Sequence, residues 1–424
     1  MREERLINRI VDGLKDMCYI WAKEMRSTIK DEGVLIFFIL VPILYPLLYS
    51  WVYNNEVVRE VPVAVVDMSH SQRSREYLRQ VDASPDVSVA YHCNNLAEAK
   101  QLIGKQVVHG VIYIPADFST NIGRGEQATV EVYCDMSLML TYKAIFQTSQ
   151  AVATAMNSHI QIERSGGMTD RDDELTTHPL EVDEVPIFNS TNGYGNALIP
   201  AVLLLILQQT LVLGIGLSAG TARESNRYRD LVPISRHYNG IFRIVLGKGL
   251  CYFMIYAVMG AYITCVVPRL FGYTTMVTPF QLLALMVPFI LASIFFGMTV
   301  SCMVRYRENI ILLVVFTSVP LLFMTGISWP ESNIPGMWRG VSWLFPSTFG
   351  VKGFLKMSSM GASLGDIGFE YHALWLQSLL YFFITCLVYR FQIKQTRMHA
   401  VEQMEKIQKI VRRSKAAKRK EAIQ

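Results

Sequence analysis

The chain has 424 residues, 51% of them hydrophobic and 18% charged, with a formal net charge of +5. That small positive excess is not a nucleic-acid signal, because it conceals an uneven division of charge along the chain. Six long apolar runs, one near the N-terminus and five after residue 196, describe a membrane protein with one polar stretch of about 140 residues between the first two runs.

Residues 1–33 place Ile7, Ile10, Val11, Leu14, Met17, Ile20 and Trp21 at helical spacing with charges opposite. This pattern predicts an amphipathic helix lying on the cytoplasmic surface, or a plain solvated helix. The first apolar run, Val34 to Trp51, has 18 residues and no charge. At ~1.5 Å per residue it reaches ~27 Å, enough to cross the hydrocarbon layer, so a transmembrane helix is expected over 34–53. A cleaved signal peptide fits less well, since the run starts 33 residues in and no small-residue cleavage site follows it.

Residues 54–196 alternate strand and helix patterns. The strand-like VPVAVVD, VSVAYHC, VVHGVIYIP and ATVEVYCD are separated by helical stretches at Ser69 to Val81, NLAEAKQLIGKQ and DFSTNIGRG. This order predicts an inserted α/β domain with a mainly parallel sheet. A long helical pattern too polar to span follows from about Leu138 to Ile162, and Ser165 to Asp183 reads as a loop. Within 54–196 no HExxH, GxSxG or phosphate loop occurs, and the histidines lack ligand spacing, so neither a catalytic site nor a metal site is expected in this domain. Asp67 and His70 follow the first strand, where they could edge a ligand site, but an aspartate there reads first as a helix N-cap.

The five later runs are Ala197 to Leu217, Leu250 to Val267, Leu282 to Val304, Ile310 to Ile327 and Tyr371 to Tyr389. With the first they define a polytopic α-helical membrane protein of six transmembrane helices, the last five within 197–389. No charge lies within these five runs, which argues against an ion relay. Gln208, Gln209 and Thr210 sit at mid-depth in the second, either as interhelical glue or as a polar lining for a path. Between the fifth and sixth runs, residues 325–350 carry Pro330, Pro335 and Pro346 with Trp329, Trp338 and Trp343. Short re-entrant helices are predicted there, or an interfacial loop anchored by aromatics. The basic tail, 390–424, reads as a solvated helix or a disordered end near anionic lipid.

Six spans put both termini on one side. That side collects 26 Lys/Arg and 13 Asp/Glu from 1–33, 220–248, 305–308 and the tail, against 14 and 22 on the other. The positive-inside bias therefore makes both termini cytoplasmic and 54–196 extracytoplasmic. Of seven cysteines only Cys93 and Cys134 fall in the outer domain, so a disulfide between them is open if the compartment is oxidising.

Several separated motifs resemble those of the ABC-2 type permeases, the membrane subunits of ABC exporters, in the subgroup with a large extracytoplasmic domain between the first two spans. WAKEMRSTIKDEGVLIFFILVPILYPLLY is similar to the surface helix leading into the first span of that family. VPVAVVDMSHSQRSREYLRQVDASPDVSV and GVIYIPADFSTNIGRGEQATVEVYCD resemble its outer domain. LILQQTLVLGIGLSAGTARE resembles its second span running into the first cytoplasmic loop, DLVPISR with Gly247 and Lys248 the approach to the third, and FMTGISWPESNIP its outer-gate segment. The family loop usually reads Arg-Glu-x-Glu-x-Gly-Thr; Arg223 and Glu224 keep its start, while Asn226, Tyr228 and Arg229 replace the rest, which suits a subunit paired with a more standard paralogue.

The resemblance implies a permease subunit of an exporter in a bacterial inner membrane, moving an amphiphilic or hydrophobic compound outward. It implies that Arg223, Glu224, Ser225, Asn226, Arg227 and Asp230, within a loop at 220–240, couple to a separate ABC ATPase. Gln208, Gln209 and Thr210 would border the substrate path, and Thr325, Gly326, Pro330 and Pro335 would form the outer gate. The chain has no GxxxxGK[ST], so ATP and Mg would be held by that partner and no cofactor by this chain. A second permease chain, identical or paralogous, is implied, and a periplasmic adaptor is left open. The rival is a membrane-anchored scaffold or receptor whose outer domain binds an envelope protein, for which five clustered spans are excessive.

Overall fold

The structure is a computed structural model, and it describes residues 2–54, 57–166, 169, 172, 177, 187–189, 193–224, 238, 240–304 and 306–421. The chain divides into two compact units, 55–187 and a helical unit built from 1–54 with 188–424.

The smaller unit holds a four-stranded sheet, β1 (Val61–Asp67), β2 (Val87–His92), β3 (Gly110–Ile114) and β4 (Glu131–Cys134), in the order β2-β1-β3-β4. β1 pairs in parallel with β2 and β3, and β4 closes the edge antiparallel to β3. Alternation along each strand divides the apolar side chains between two faces. Val63, Val65, Ile112 and Ile114 pack with Tyr77, Ile122 and Ile145, whereas Ala64, Val66 and Val111 pack with Ala99 and Val108. Val108 lies between helix and strand; the helices supplying the other partners are α3 (Gln72–Asp82), α4 (Leu96–Gly104), α5 (Phe118–Arg124) and the long α6 (Met139–Ser165). The Tyr77 hydroxyl donates to the Ser149 carbonyl at 3.1 Å, tying α3 to α6.

Asp67 does not cap a helix. Its carboxylate accepts the backbone N–H groups of Ser69 (2.9 Å) and His70 (3.1 Å) and the Ser74 hydroxyl (2.7 Å), while Ser71 is the N-cap of α3 in a capping box with Ser74. The disulfide left open between Cys93 and Cys134 is not formed. Both are free thiols, one following β2 and the other ending β4, at opposite edges of the sheet and on opposite faces of it. Two intervening strands at ~4.8 Å spacing put them far beyond the reach of an S–S bond. Burial pushes the Cys134 thiol up to about 11. The expected loop at Ser165 to Asp183 falls largely outside the described residues.

The larger unit is mostly helical, with six helices long and apolar enough to cross a membrane: α2 (Glu32–Val52), α7 (Tyr194–Glu224), α8 (Ile241–Phe271), α9 (Pro279–Met303), α10 (Arg307–Met324), and α13 (Gly368–Glu421), whose apolar part ends near residue 395. Preceding them is α1 (Arg2–Lys30), and α11 (Gly336–Ser342) and α12 (Pro346–Ser358) lie between α10 and α13. Two of the spans widen into a π turn, Ile36–Leu40 in α2 and Tyr262–Val266 in α8. Each lies just before a proline, Pro42 or Pro268, whose ring would clash with the preceding turn and whose nitrogen donates nothing. The tail does not fray at the end of the last span: α13 continues as one helix of 54 residues.

Helix α7 is the hub, touching α2, α8, α9, α10 and α12. Its glycines permit the closest approaches. A Cβ on Gly214 would sit 2.1 Å from the buried ring of Phe38, and one on Gly220 would sit 3.0 Å from the backbone of Arg307. A Gly214→Ala variant is therefore expected to lose about 1–3 kcal/mol, the usual cost of overpacking. In a thermal melt of the purified protein, Gly214→Ala combined with Phe38→Leu should be less destabilised than the sum of the two single changes.

Candidate functional site

The described part of α7 ends at Glu224, and Ser225, Asn226, Arg227 and Asp230 lie outside the described residues. Around that end, four helix termini meet. The last carbonyls of α9 have no partner within their own helix. The Arg223 guanidinium meets them, donating to the carbonyls of Ser301 (3.1 Å), Cys302 (3.0 Å) and Val304. The planar guanidinium, with its donors held in a fixed fork, suits three acceptors grouped at one helix end. Next to it, Glu224 accepts the backbone N–H of Arg307 at 3.2 Å, capping the first turn of α10. Asp31 completes the joint. It caps α2 through the Val34 N–H (3.3 Å), accepts the Thr221 hydroxyl of α7 (2.6 Å) and pairs with the Arg307 guanidinium (2.9 Å). Partial burial raises the Asp31 pKa, but the hydrogen bonds from Thr221 and Val34 and the charge of Arg307 outweigh it and hold the carboxyl below its ordinary value.

Arg223 is 4% exposed. Its guanidinium donates to the end of α9 and so joins α7 to that helix. Glu224 is exposed.

A second joint fastens α1 to the start of α8. The Lys248 ammonium and Glu24 carboxylate lie 3.1 Å apart, both buried, and the Tyr252 hydroxyl donates to the same carboxylate at 2.5 Å. One end is held by Arg243 and Asp16 at 2.6 Å. The helices cross at Gly247, where a Cβ would lie 3.0 Å from the Met17 carbonyl oxygen. The Lys23 ammonium stands over the Tyr238 ring at 5.3 Å, and burial together with the charge of Glu24 pushes the Tyr238 phenol up. Sequence reading missed this joint because it began the third span at Leu250. The helix starts at Ile241, so Lys248 lies inside it, and the expectation of a charge-free third span is corrected. The face of α1 turned to α8 carries Ile20, Glu24 and Thr28, while Val11 and Leu14 of the predicted apolar face are exposed.

At mid-depth Gln208 is 1% exposed and its Oε1 has no hydrogen-bond partner among the described residues, nor has the Nε2 of Gln209. Thr210 donates back to the Ile206 carbonyl at 2.8 Å, beside the buried Tyr256 phenol. On α9 the hydroxyl of buried Ser293 is also without a partner among the described residues. Buried polar atoms without partners are costly, so these positions stand out in an otherwise apolar stretch of the bundle.

At the opposite end, Thr325 and Gly326 line a cavity of about 310 Å³ with Glu331, Trp343, Phe349, Lys352, Lys356, Phe369 and Glu370. Gly326 has φ +86, a left-handed turn that stops α10, and Thr325 donates back to the Leu322 carbonyl at 2.6 Å. Pro330 opens a short 3₁₀ turn at Glu331–Asn333, and Pro335 opens α11. Pro335 faces a separate apolar recess with Trp329, Trp338 and Pro320. The structure thus groups Thr325 and Gly326 with Glu331 and separates Pro335 from them. The two lysines of α12 were not legible as site residues, since nothing in their spacing distinguishes them from surface charges. No group of three or more His, Cys, Asp or Glu that could hold a metal occurs among the described residues.

Six helices long and apolar enough to cross a membrane define a multi-pass membrane protein. A family model described as "ABC-2 family transporter protein" matches residues 33–387, and the chain belongs to that family. It is the membrane component of a transporter, and membership implies association with an ABC ATPase and with the lipid bilayer. No curated protein matches the chain.

Two expectations follow from the joint around Arg223. Replacing it with Ala should cost roughly 3 kcal/mol by stranding buried carbonyls, and Lys should recover only part of that loss, read by thermal unfolding in detergent. Asp31 is more acidic folded than its ordinary 3.8. The stability it adds is therefore complete at neutral pH and is lost as the pH falls through the folded value, below about 4. The advantage of the parent over Asp31→Asn should be flat above about pH 5 and shrink only below about pH 4.

Proposed function

We propose that the chain is the permease subunit of an ATP-driven exporter that moves an amphiphilic or hydrophobic compound outward across a bacterial inner membrane. The observation that carries this reading is the joint at the end of α7. The loop that follows residue 224 departs from a point bonded to α2, α9 and α10 at once. A push on that loop reaches four helices as a rigid-body displacement, because the bonded ends cannot yield separately.

In this reading both termini are cytoplasmic and 54–196 lies outside, as the division of charge favours. A separate ABC ATPase holding ATP and Mg docks under 220–240 and under α1, whose ion pair to Lys248 gives the docked subunit a second handle on the spans. Glu224 and its successors Ser225, Asn226, Arg227 and Asp230 meet that subunit, and Arg223 passes the movement to α9. Gln208, Gln209 and Thr210 border the path, where the Gln208 Oε1 and Gln209 Nε2, without a hydrogen-bond partner among the described residues, suit a compound with some polar surface. Thr325, Gly326, Pro330 and Pro335 form the outer gate. A second permease chain, identical or paralogous, completes the transporter, and a periplasmic adaptor on the outer domain is compatible with it.

The test is co-purification with an ABC ATPase and stimulation of its ATP hydrolysis. Glu224→Arg should lower both by roughly tenfold, a typical coupling energy between sites. Glu224→Gln, which can still accept the Arg307 N–H, should keep the joint and most of the stimulation. If Glu224→Arg leaves complex formation and stimulation unchanged, the coupling assignment fails.

A further inference from the structure

The cavity beside Gly326 contains two ion pairs arranged in opposite senses. Lys352 and Lys356 stand one turn apart on α12 and face the same space. Lys352 pairs with Glu331 at 2.7 Å, and Lys356 pairs with Glu370 at 2.6 Å. In the first pair the lysine is the sheltered member, 18% exposed against 45% for the carboxylate. In the second the carboxylate is sheltered, 7% exposed against 45% for the lysine. One cation and one anion are thus fixed in the wall, each with a counterion that water can reach. Glu331 rides on the short turn after Pro330, and Lys356 is a long flexible side chain; both can swing out at little cost.

The remaining wall is aromatic. Trp343, Phe349 and Phe369 form a mutual cluster with ring centroids 5.9 to 6.2 Å apart, and Leu355 and Met360 extend it. A volume of about 310 Å³ accommodates a head group and the first part of a chain, at the small end of ligand pockets.

We propose that this cavity binds the head of a zwitterionic amphiphile: an anionic oxygen group on Lys352, an ammonium on Glu370, and the apolar body on the Trp343, Phe349 and Phe369 rings. The ligand displaces Glu331 and Lys356 into water and compensates both wall charges, the half-buried Lys352 and the buried Glu370, at once. A purely anionic amphiphile replaces only Glu331, and a purely cationic one only Lys356. Release of Glu331 frees the turn between Pro330 and Pro335. The inference deepens the assignment of 325–335 as outer gate and rests on it, by naming the class of compound that the gate meets. A transported compound and a bilayer lipid present the same head-group chemistry.

The experiment uses the full chain in nanodiscs without an ATPase, so its outcome is independent of the coupling test. Dodecylphosphocholine, dodecyl phosphate and dodecyltrimethylammonium are titrated while Trp fluorescence is followed, with Trp343→Phe as the variant that removes the signal. The zwitterion should bind tightest. Glu331→Gln removes a competitor of the anionic group and should tighten dodecyl phosphate by about two- to fivefold, the equivalent of one exposed ion pair. Lys356→Gln should do the same for dodecyltrimethylammonium, and each variant should tighten dodecylphosphocholine. A merely structural pair would give no change or a loss. In phosphatidylcholine discs, a signal equal to that in phosphatidylglycerol discs assigns the site to a single-chain compound; a signal silenced there assigns it to bilayer lipid. Equal binding of the three amphiphiles, or no tightening in either variant, overturns the proposal.

Discussion

Helix ends are the expensive part of a bundle in a bilayer. Each leaves four carbonyls or four N–H groups without a partner in its own helix, and where neighbouring helices cover such an end the partner must come from the protein. The single guanidinium of Arg223 answers this for α9, and its neighbour Glu224 does so for α10. Because both sit on the last turn of α7, satisfying the backbone and fixing α7 to its neighbours become one event. The position of α10, the start of α2 through Asp31, and the point where the following loop begins all depend on it.

Close packing carries the same constraint along the bundle. Lipid gives no hydrophobic drive for helices to associate, so contact must come from small residues that let backbones approach. Gly214 and Gly220 of α7 serve this purpose, one against an aromatic ring and one against backbone. Charge does the rest at α1, where a buried Lys248 would be prohibitive alone and is tolerable because Glu24 and Tyr252 surround it.

Much of this architecture was legible. The long apolar runs announced the six helices, since length and lack of charge are direct requirements of crossing a bilayer, and the period-two runs announced the strands. What escaped notice was tertiary. Lys248 looked like a flanking residue because hydropathy windows end where charge begins, although the helix does not. Whether Cys93 and Cys134 meet was left open by the sequence, and only the strand order places two strands between them. Asp67 looked like a cap, but Ser71, four residues on, holds that position with Ser74 as its reciprocal partner. Arg223 was visible as part of a motif, yet nothing in its sequence context says that its charge is buried. For Lys352 and Lys356 the reason is that two lysines four residues apart on a helix are ordinary, and their meaning lies in Glu331 and Glu370 from elsewhere in the chain.

The unbroken course of α13 has a mechanical consequence. At ~1.5 Å per residue the 26 residues from 396 to 421 extend ~39 Å past the apolar segment. Since that rod is continuous with a span packed against α9 and α12, a tilt of about 10° in the span would sweep the far tip through roughly 7 Å. A basic pointer of that length amplifies small rotations inside the bilayer into displacements as large as a side chain, at a distance where soluble proteins and lipid head groups can register them.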